Sequence, residues 1–237
     1  MRIIKEQRFK TLHFDLLSSF PHLIHAVFLD FPLGEKDDSA HFQLALSHLG
    51  FAKGVKLLQV HKNTILHFKK EEVIDFNKGY DGVITQEKGV GLLIRHADCQ
   101  GAFFYDPIHE VIGAAHCGWR GSVLNIYKKM VVEMEAFYRT NPQDLRVCIG
   151  PSLGPYNAEF KNFKQEFPKS LWPFQERPNY FNFWDISTSQ LLEAGVLISQ
   201  IEIAKICTYE EGFSYRRDPM TPHHGSIIGL SNKGDEG

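Results

Sequence analysis

The sequence predicts a single α/β domain, layered and built on mixed sheets. Three observations lead there. The chain has 237 residues, and no linker, repeat or low-complexity tract divides it, so residues 1–237 read as one domain. Short apolar or β-branched runs alternate with segments of helical period. Several of those runs also succeed one another across short turns, a pattern foreign to a purely parallel, doubly wound sheet.

The elements follow in order. Residues 34–39 form a charged turn ahead of a helix-like stretch at 41–49. Residues 57–60 read as a strand that ends at His61. From Gly79 the pattern sharpens: strands are expected at 82–85, 90–94, 102–105 and 111–115, with Asp106-Pro107 as a turn. The run Gly118-Trp119-Arg120-Gly121 then breaks the strand, and Ser122 is the expected N-cap of a helix reaching Tyr138. In it Val123, Ile126, Tyr127, Met130, Val131, Met134 and Phe137 fall at helical spacing. A strand at 145–149 and a helix after Asp185 complete the pattern. That helix turns Ile186, Leu191, Leu192 and Ala194 inward and stops at Gly195.

Composition narrows the function classes. A net charge of −2 supplies no basic balance for nucleic acid or a lipid surface. The apolar runs fall well short of the roughly 20 residues a membrane helix requires. Cys99, Cys117, Cys148 and Cys207 form no C-x-x-C pair, and the charged N-terminus does not resemble a signal peptide. A cytoplasmic protein is therefore expected; as to assembly, a monomer and a homodimer both stay open.

The candidate site rests on His61, Cys99 and His116, one residue from each of three expected strand ends. Such borderline and soft ligands suit Zn²⁺ with an open fourth position, able to polarise a water or a substrate oxygen. Their spacing matches no local zinc signature, and each residue alone reads more readily as an ordinary core or surface group. A second chemistry uses the same residues: Cys99 as a nucleophile paired with His116 or His61, with Asp98 or Asp81 as the orienting acid. Cys117 should point to the opposite face of its strand from His116. Arg120, between two glycines at a helix start, is a candidate anion contact, as are the paired Arg216 and Arg217. The bland alternative for the glycines is that Gly118 and Gly121 simply permit a turn.

Six segments taken together carry a resemblance: Gln59-Val60-His61, residues 81–85, Ala97-Asp98-Cys99, residues 116–121, residues 149–152 and Ser214-Tyr215-Arg216-Arg217. In order and spacing they resemble the laccase-domain family, also called polyphenol-oxidase-type or multicopper-oxidase-like, whose members include purine nucleoside phosphorylases. The resemblance implies an α/β/β/α layering, with His61, Cys99 and His116 as zinc ligands and a purine nucleoside and phosphate as substrates. It implies phosphorolysis of adenosine, inosine and methylthioadenosine, with adenosine deamination as an additional activity. Asp98, Arg120 and Cys99 are the expected catalytic residues, and Arg120, Arg216, Arg217 and His223 the expected substrate or phosphate contacts.

Copper oxidase chemistry is disfavoured, because the chain contains no His-x-His pair; zinc is preferred to copper. Other readings are a Cys-dependent hydrolase or editing enzyme acting on a peptidoglycan precursor, and a non-catalytic nucleoside- or metal-binding protein. The chain also departs from the family pattern. His96 and Gly101 stand where threonine and proline are usual, Cys117 where alanine is usual, and His223 where an arginine is expected. Residues 1–54 are divergent.

Overall fold

A computed structural model describes residues 1–32 and 39–232. The expected turn at 34–39 therefore lies almost wholly outside the described residues. In chain order the strands are β1 (Arg2–Lys5), β2 (Lys10–His13), β3 (Leu23–Phe28), β4 (Lys53–Lys56), β5 (Ile65–His67), β6 (Gly82–Thr85) and β7 (Val90–His96). They continue as β8 (Gln100–Asp106), β9 (Val111–Cys117), β10 (Arg146–Ile149), β11 (Gln175–Arg177), β12 (Tyr180–Phe181), β13 (Ile201–Ile203) and β14 (His224–Leu230). The helices are α1 (Asp15–Ser18), α2 (Ser39–His48), α3 (Trp119–Val123), α4 (Ile126–Tyr138), α5 (Phe163–Glu166) and α6 (Phe183–Glu193).

Among the described residues the strands form two six-stranded mixed sheets, ordered β1-β2-β3-β14-β7-β4 and β13-β10-β8-β9-β6-β5, plus the β11–β12 pair. Alternation along each strand explains how the sheets stack. Val27, Ile94 and Ile228 of the first sheet meet Val83, Phe103 and Tyr105 of the second in one buried cluster. Their neighbours point the other way. Ala26, Phe28, Leu93 and Ile227 pack against Ala45 and Leu46 of α2. Phe104, Ala115 and Val147 pack against Tyr127, Met130 and Met134 of α4 and Leu191 of α6. The order of layers is thus helix, sheet, sheet, helix. Residues 1–32 belong to this fold: β3 pairs with β14 from Leu23↔Leu230 to Phe28↔Gly225.

Four local expectations need correction. Residues 57–60 are not a strand; β4 ends at Lys56, and His61 sits on the loop beyond it. Ser122 does not cap α4, because its hydroxyl donates back to the Gly118 carbonyl within α3. The chain instead breaks at Asn125, whose side chain accepts from the Lys128 N–H and whose φ of 52° ends α3. The helix α6 starts at Phe183, earlier than expected, because Asn182 accepts from the N–H groups of Trp184 and Asp185. Leu192 faces solvent at 45% exposure. Gly195 does end that segment, with φ of 92°.

Candidate metal centre and substrate cavity

Strand register gathers the site at one end of the sandwich. β8 and β9 pair Gln100 with Cys117 and Gly101 with His116, so the turn at 97–99 falls beside the end of β9. β6 and β9 pair Gly82 with Ala115, which sets Asp81 next to His116. The ligating atoms of His61, Cys99 and His116 consequently lie within 4.8 Å of one another. The imidazoles of His61 and His116 meet edge to face, with centroids 4.7 Å apart.

Asp81 organises this cluster. Its side chain is fully buried, and Oδ1 accepts from His116 Nδ1 at 2.8 Å and from the His61 N–H at 2.9 Å. Oδ2 accepts from the N–H groups of Lys62 at 2.7 Å and Val60 at 3.3 Å. The carboxylate therefore sets the His116 tautomer, turning Nε2 towards Cys99, and holds the 60–62 loop in which His61 adopts a φ of 57°. Burial alone would raise the Asp81 pKa, but the hydrogen bonds from His116 and the backbone hold it below the usual carboxylate value.

Burial likewise opposes ionisation of Cys99, yet the neighbouring His116 and His61 draw its pKa down to about 6. His116 moves upward, against its own burial, because Cys99 and Asp81 both favour its cation. An available thiolate beside two imidazoles suits both a metal ligand and a nucleophile. The space suits a metal: a Cβ on Gly118 would lie 3.0 Å from Cys99 Sγ and 3.2 Å from His61 Cδ2. Gly118 has an ordinary φ of −73°, so clearance beside the ligands explains it better than turn geometry. Cys117 turns away, into the face covered by α4, where it packs with Ile126 and Tyr127.

The cluster opens into a cavity of about 570 Å³. Arg95, Arg120, Arg216 and His223 line it. Trp119, Phe160, Phe183 and Tyr215 supply its aromatic wall. Arg120 lies over the Trp119 ring, 4.2 Å from its centroid. Asp98, with φ of 77°, also lines the cavity, but its oxygens are already engaged. They accept from Thr208 Oγ1 at 2.7 Å and from the Arg216 N–H at 2.6 Å. Asp98 thus ties the Cys99 turn to the 208–217 segment and is better placed to position neighbours than to carry a proton. The two arginines part company. Arg216 reaches the cavity, whereas Arg217 braces its own loop by donating to the carbonyls of Tyr209 and Gly212.

The departures at His96 and Gly101 are one feature. His96 is buried, its Nε2 lies 2.8 Å from Ser226 Oγ, and its ring fills the space in front of Gly101. A Cβ on Gly101 would lie 2.7 Å from His96 Cδ2 and 2.9 Å from Ser226 Oγ. The larger side chain at 96 therefore requires the absent one at 101.

Sequence reasoning missed the full part played by Asp81, the cavity-lining Arg95 and the aromatic wall. A carboxylate directly before the short β-branched run at 82–85 was the signal for Asp81; Phe160 lies on an irregular segment that gives none.

These features define a mixed α/β fold with a His-Cys-His candidate metal site. The chain belongs to the family described as multi-copper polyphenol oxidoreductase laccase, which it matches over residues 34–231. It is 35% identical over 151 residues to a purine nucleoside phosphorylase of Bacteroides thetaiotaomicron, a match covering 59% of this chain and 56% of that protein. It is 30% identical over 165 residues to the purine nucleoside phosphorylase YlmD of Bacillus subtilis, covering 65% of this chain and 59% of the relative. The matched regions thus span less than two thirds of these relatives. The crystal structure of YlmD from Geobacillus stearothermophilus superposes with a TM-score of 0.81 at 25% identity, covering 97% of this chain and 98% of that one. The Bacillus licheniformis hypothetical protein YfiH superposes with the same score at 20% identity, covering 97% and 99%, and shows the shared fold alone.

Proposed function

We propose that the chain is a zinc-dependent purine nucleoside phosphorylase acting on adenosine, inosine and methylthioadenosine. The observation that carries this reading is a His61–Cys99–His116 cluster, oriented by Asp81, opening into a cavity lined by guanidinium groups and aromatic rings. Two imidazoles and a thiolate fit zinc with an open position, and the missing His-x-His pairs argue against a copper cluster. When bound there, zinc supplies a Lewis acid for a substrate or phosphate oxygen.

In phosphorolysis a phosphate oxygen forms a bond to C1′ while the C1′–N bond breaks and the departing base takes up a proton, giving a free base and the sugar 1-phosphate. Arg120 and Arg216 line the cavity where they can balance the phosphate charge, and Arg95 adds a third guanidinium. His223 is a further candidate contact to substrate. Arg217 supports the loop from behind. Asp98 holds the Arg216 backbone, and Asp81 fixes His116. Adenosine deamination is proposed as an additional activity, in which water adds at C6 of the base and ammonia leaves, giving inosine with the C1′–N bond intact.

The test incubates purified protein with adenosine, inosine and methylthioadenosine, with and without phosphate. Products are separated by chromatography, and metal is measured by mass spectrometry. The expected result from the zinc-loaded protein is phosphate-dependent free base together with ribose 1-phosphate from adenosine and inosine, and methylthioribose 1-phosphate from methylthioadenosine. His116→Ala should lose metal and activity together, by about 100-fold or more in kcat. Full phosphorolysis by metal-free protein overturns the metal role. Activity that survives chelation but not thiol alkylation points instead to Cys99 as a nucleophile, the reading that its lowered pKa also favours.

A further inference from the structure

Four aromatic residues line the cavity, and three have their rings already engaged. Trp119 carries the Arg120 guanidinium and meets Phe160 and Phe167 at 6.0 and 5.7 Å between centroids. Phe160 lies under Arg216 at 5.4 Å and packs against Phe167, Phe181 and Phe183. Phe183 is buried within that cluster. Tyr215 differs. It is 59% exposed, and among the described residues no ring or cation packs on it.

The segment that presents Tyr215 is nevertheless held firmly. The next residue donates its N–H to the Asp98 carboxylate, one position from Cys99. The Ser214 hydroxyl accepts from the Arg217 N–H at 3.2 Å, and Arg217 donates to the loop carbonyl at Tyr209. An uncovered aromatic ring on an anchored segment offers a stacking face at little conformational cost. The same cavity is lined by the candidate metal cluster and by the guanidinium groups of Arg120 and Arg216, which supply the complementary polar chemistry.

We propose that Tyr215 is the cavity's stacking platform for a purine base. The sugar then falls towards His61, Cys99 and His116, with phosphate near Arg120 and Arg216. This inference rests on the nucleoside phosphorylase reading and specifies the residue that grips the base.

The experiment compares wild type with Tyr215→Ala and Tyr215→Phe, using zinc-loaded full-length chain. It measures KM and kcat for adenosine and the inhibition constant of ribose 1-phosphate, which has no base. Tyr215→Ala is expected to raise KM for adenosine about tenfold or more, with a smaller change in kcat. Affinity for ribose 1-phosphate should stay close to wild type, and Tyr215→Phe should restore most of the lost adenosine affinity. Because Tyr215 is largely exposed, thermal midpoints should agree, so a loss of fold does not imitate the result. The platform is overturned if Tyr215→Ala binds adenosine like wild type, or if it weakens ribose 1-phosphate equally. If wild type neither binds nor cleaves any purine nucleoside, the functional reading fails first and the platform falls with it.

Discussion

Gly101 and His96 show how one side chain dictates another. Adding a Cβ at Gly101 drives it to 2.7 Å from His96 Cδ2, with Ser226 Oγ at 2.9 Å closing the other side. Gly101→Ala should therefore destabilise the protein by about 1–3 kcal/mol, the usual cost of overpacking a filled core. In a His96→Ala background the same change should cost less, since the clashing ring is gone and only Ser226 Oγ remains close, with room to rotate away. Chemical denaturation of the two single variants and the double variant measures this coupling. Equal cost in both backgrounds would show that Gly101 answers to something other than His96. At this scale the sequence was legible in part. His61, Cys99 and His116 stand in recognisable motifs. The His96–Gly101 dependence was visible only as two separate oddities, because β7 and β8 lie in different sheets and their residues meet through inter-sheet packing that spacing does not encode. Arg216 and Arg217 were equally indistinguishable as neighbours. One backbone turn sends the first towards the cavity and the second back to Tyr209.

Elements were read best where their period is long and worst where they begin. The strands at 82–85 and 111–115 and the helix α4 emerge clearly from apolar periodicity. The start of α4 does not, because Trp119–Val123 folds into a separate short helix and the chain breaks at Asn125. Both Ser122 and Asn125 are good caps by residue type; the choice is made by the left-handed φ of 52° at Asn125, which breaks the chain there, and by its side chain accepting from the Lys128 N–H. Asn125→Ala should cost about 1–2 kcal/mol, losing the acceptor for Lys128 N–H and straining the backbone. Asn125→Gly should cost less, because glycine accepts that φ. Thermal unfolding of the pair checks the order. Alanine better tolerated than glycine would contradict the capping account. The break has a consequence for the site. It lets α3 lie across the end of β9, where Trp119 joins the cavity wall and Arg120 lies over it.

Across the whole molecule the layers are held in register partly by neutral histidines, which makes stability depend on pH. His25 Nε2 accepts from the Phe14 N–H at 2.8 Å, and His224 Nε2 accepts from the Phe213 N–H at 3.0 Å. Neither bond survives protonation of that nitrogen. Burial is the leading cause that drives His25 down to about 3, with His13 adding repulsion. Burial likewise drives His224 down to about 4, against small opposing contributions from the Phe28 carbonyl and Asp98. In the unfolded chain both return to about 6.5. Between the folded values and 6.5 the unfolded state binds more protons, so stability falls as pH drops through that window. Above pH 7 these two groups contribute no slope. Asp81 and Asp106, both held below the usual carboxylate range despite burial, add a loss of the same sign at still lower pH. Denaturant midpoints should therefore decline steadily from pH 7 to pH 5, by roughly 1–2 kcal/mol per histidine at the lower end. His25→Asn should flatten that decline while costing some stability at pH 7; an unchanged slope would mean that His25 titrates normally in the folded protein. His25 lies on β3 and His224 on β14, adjacent strands of the sheet that also carries His96, so the decline should reach the far end of the fold and the cavity together.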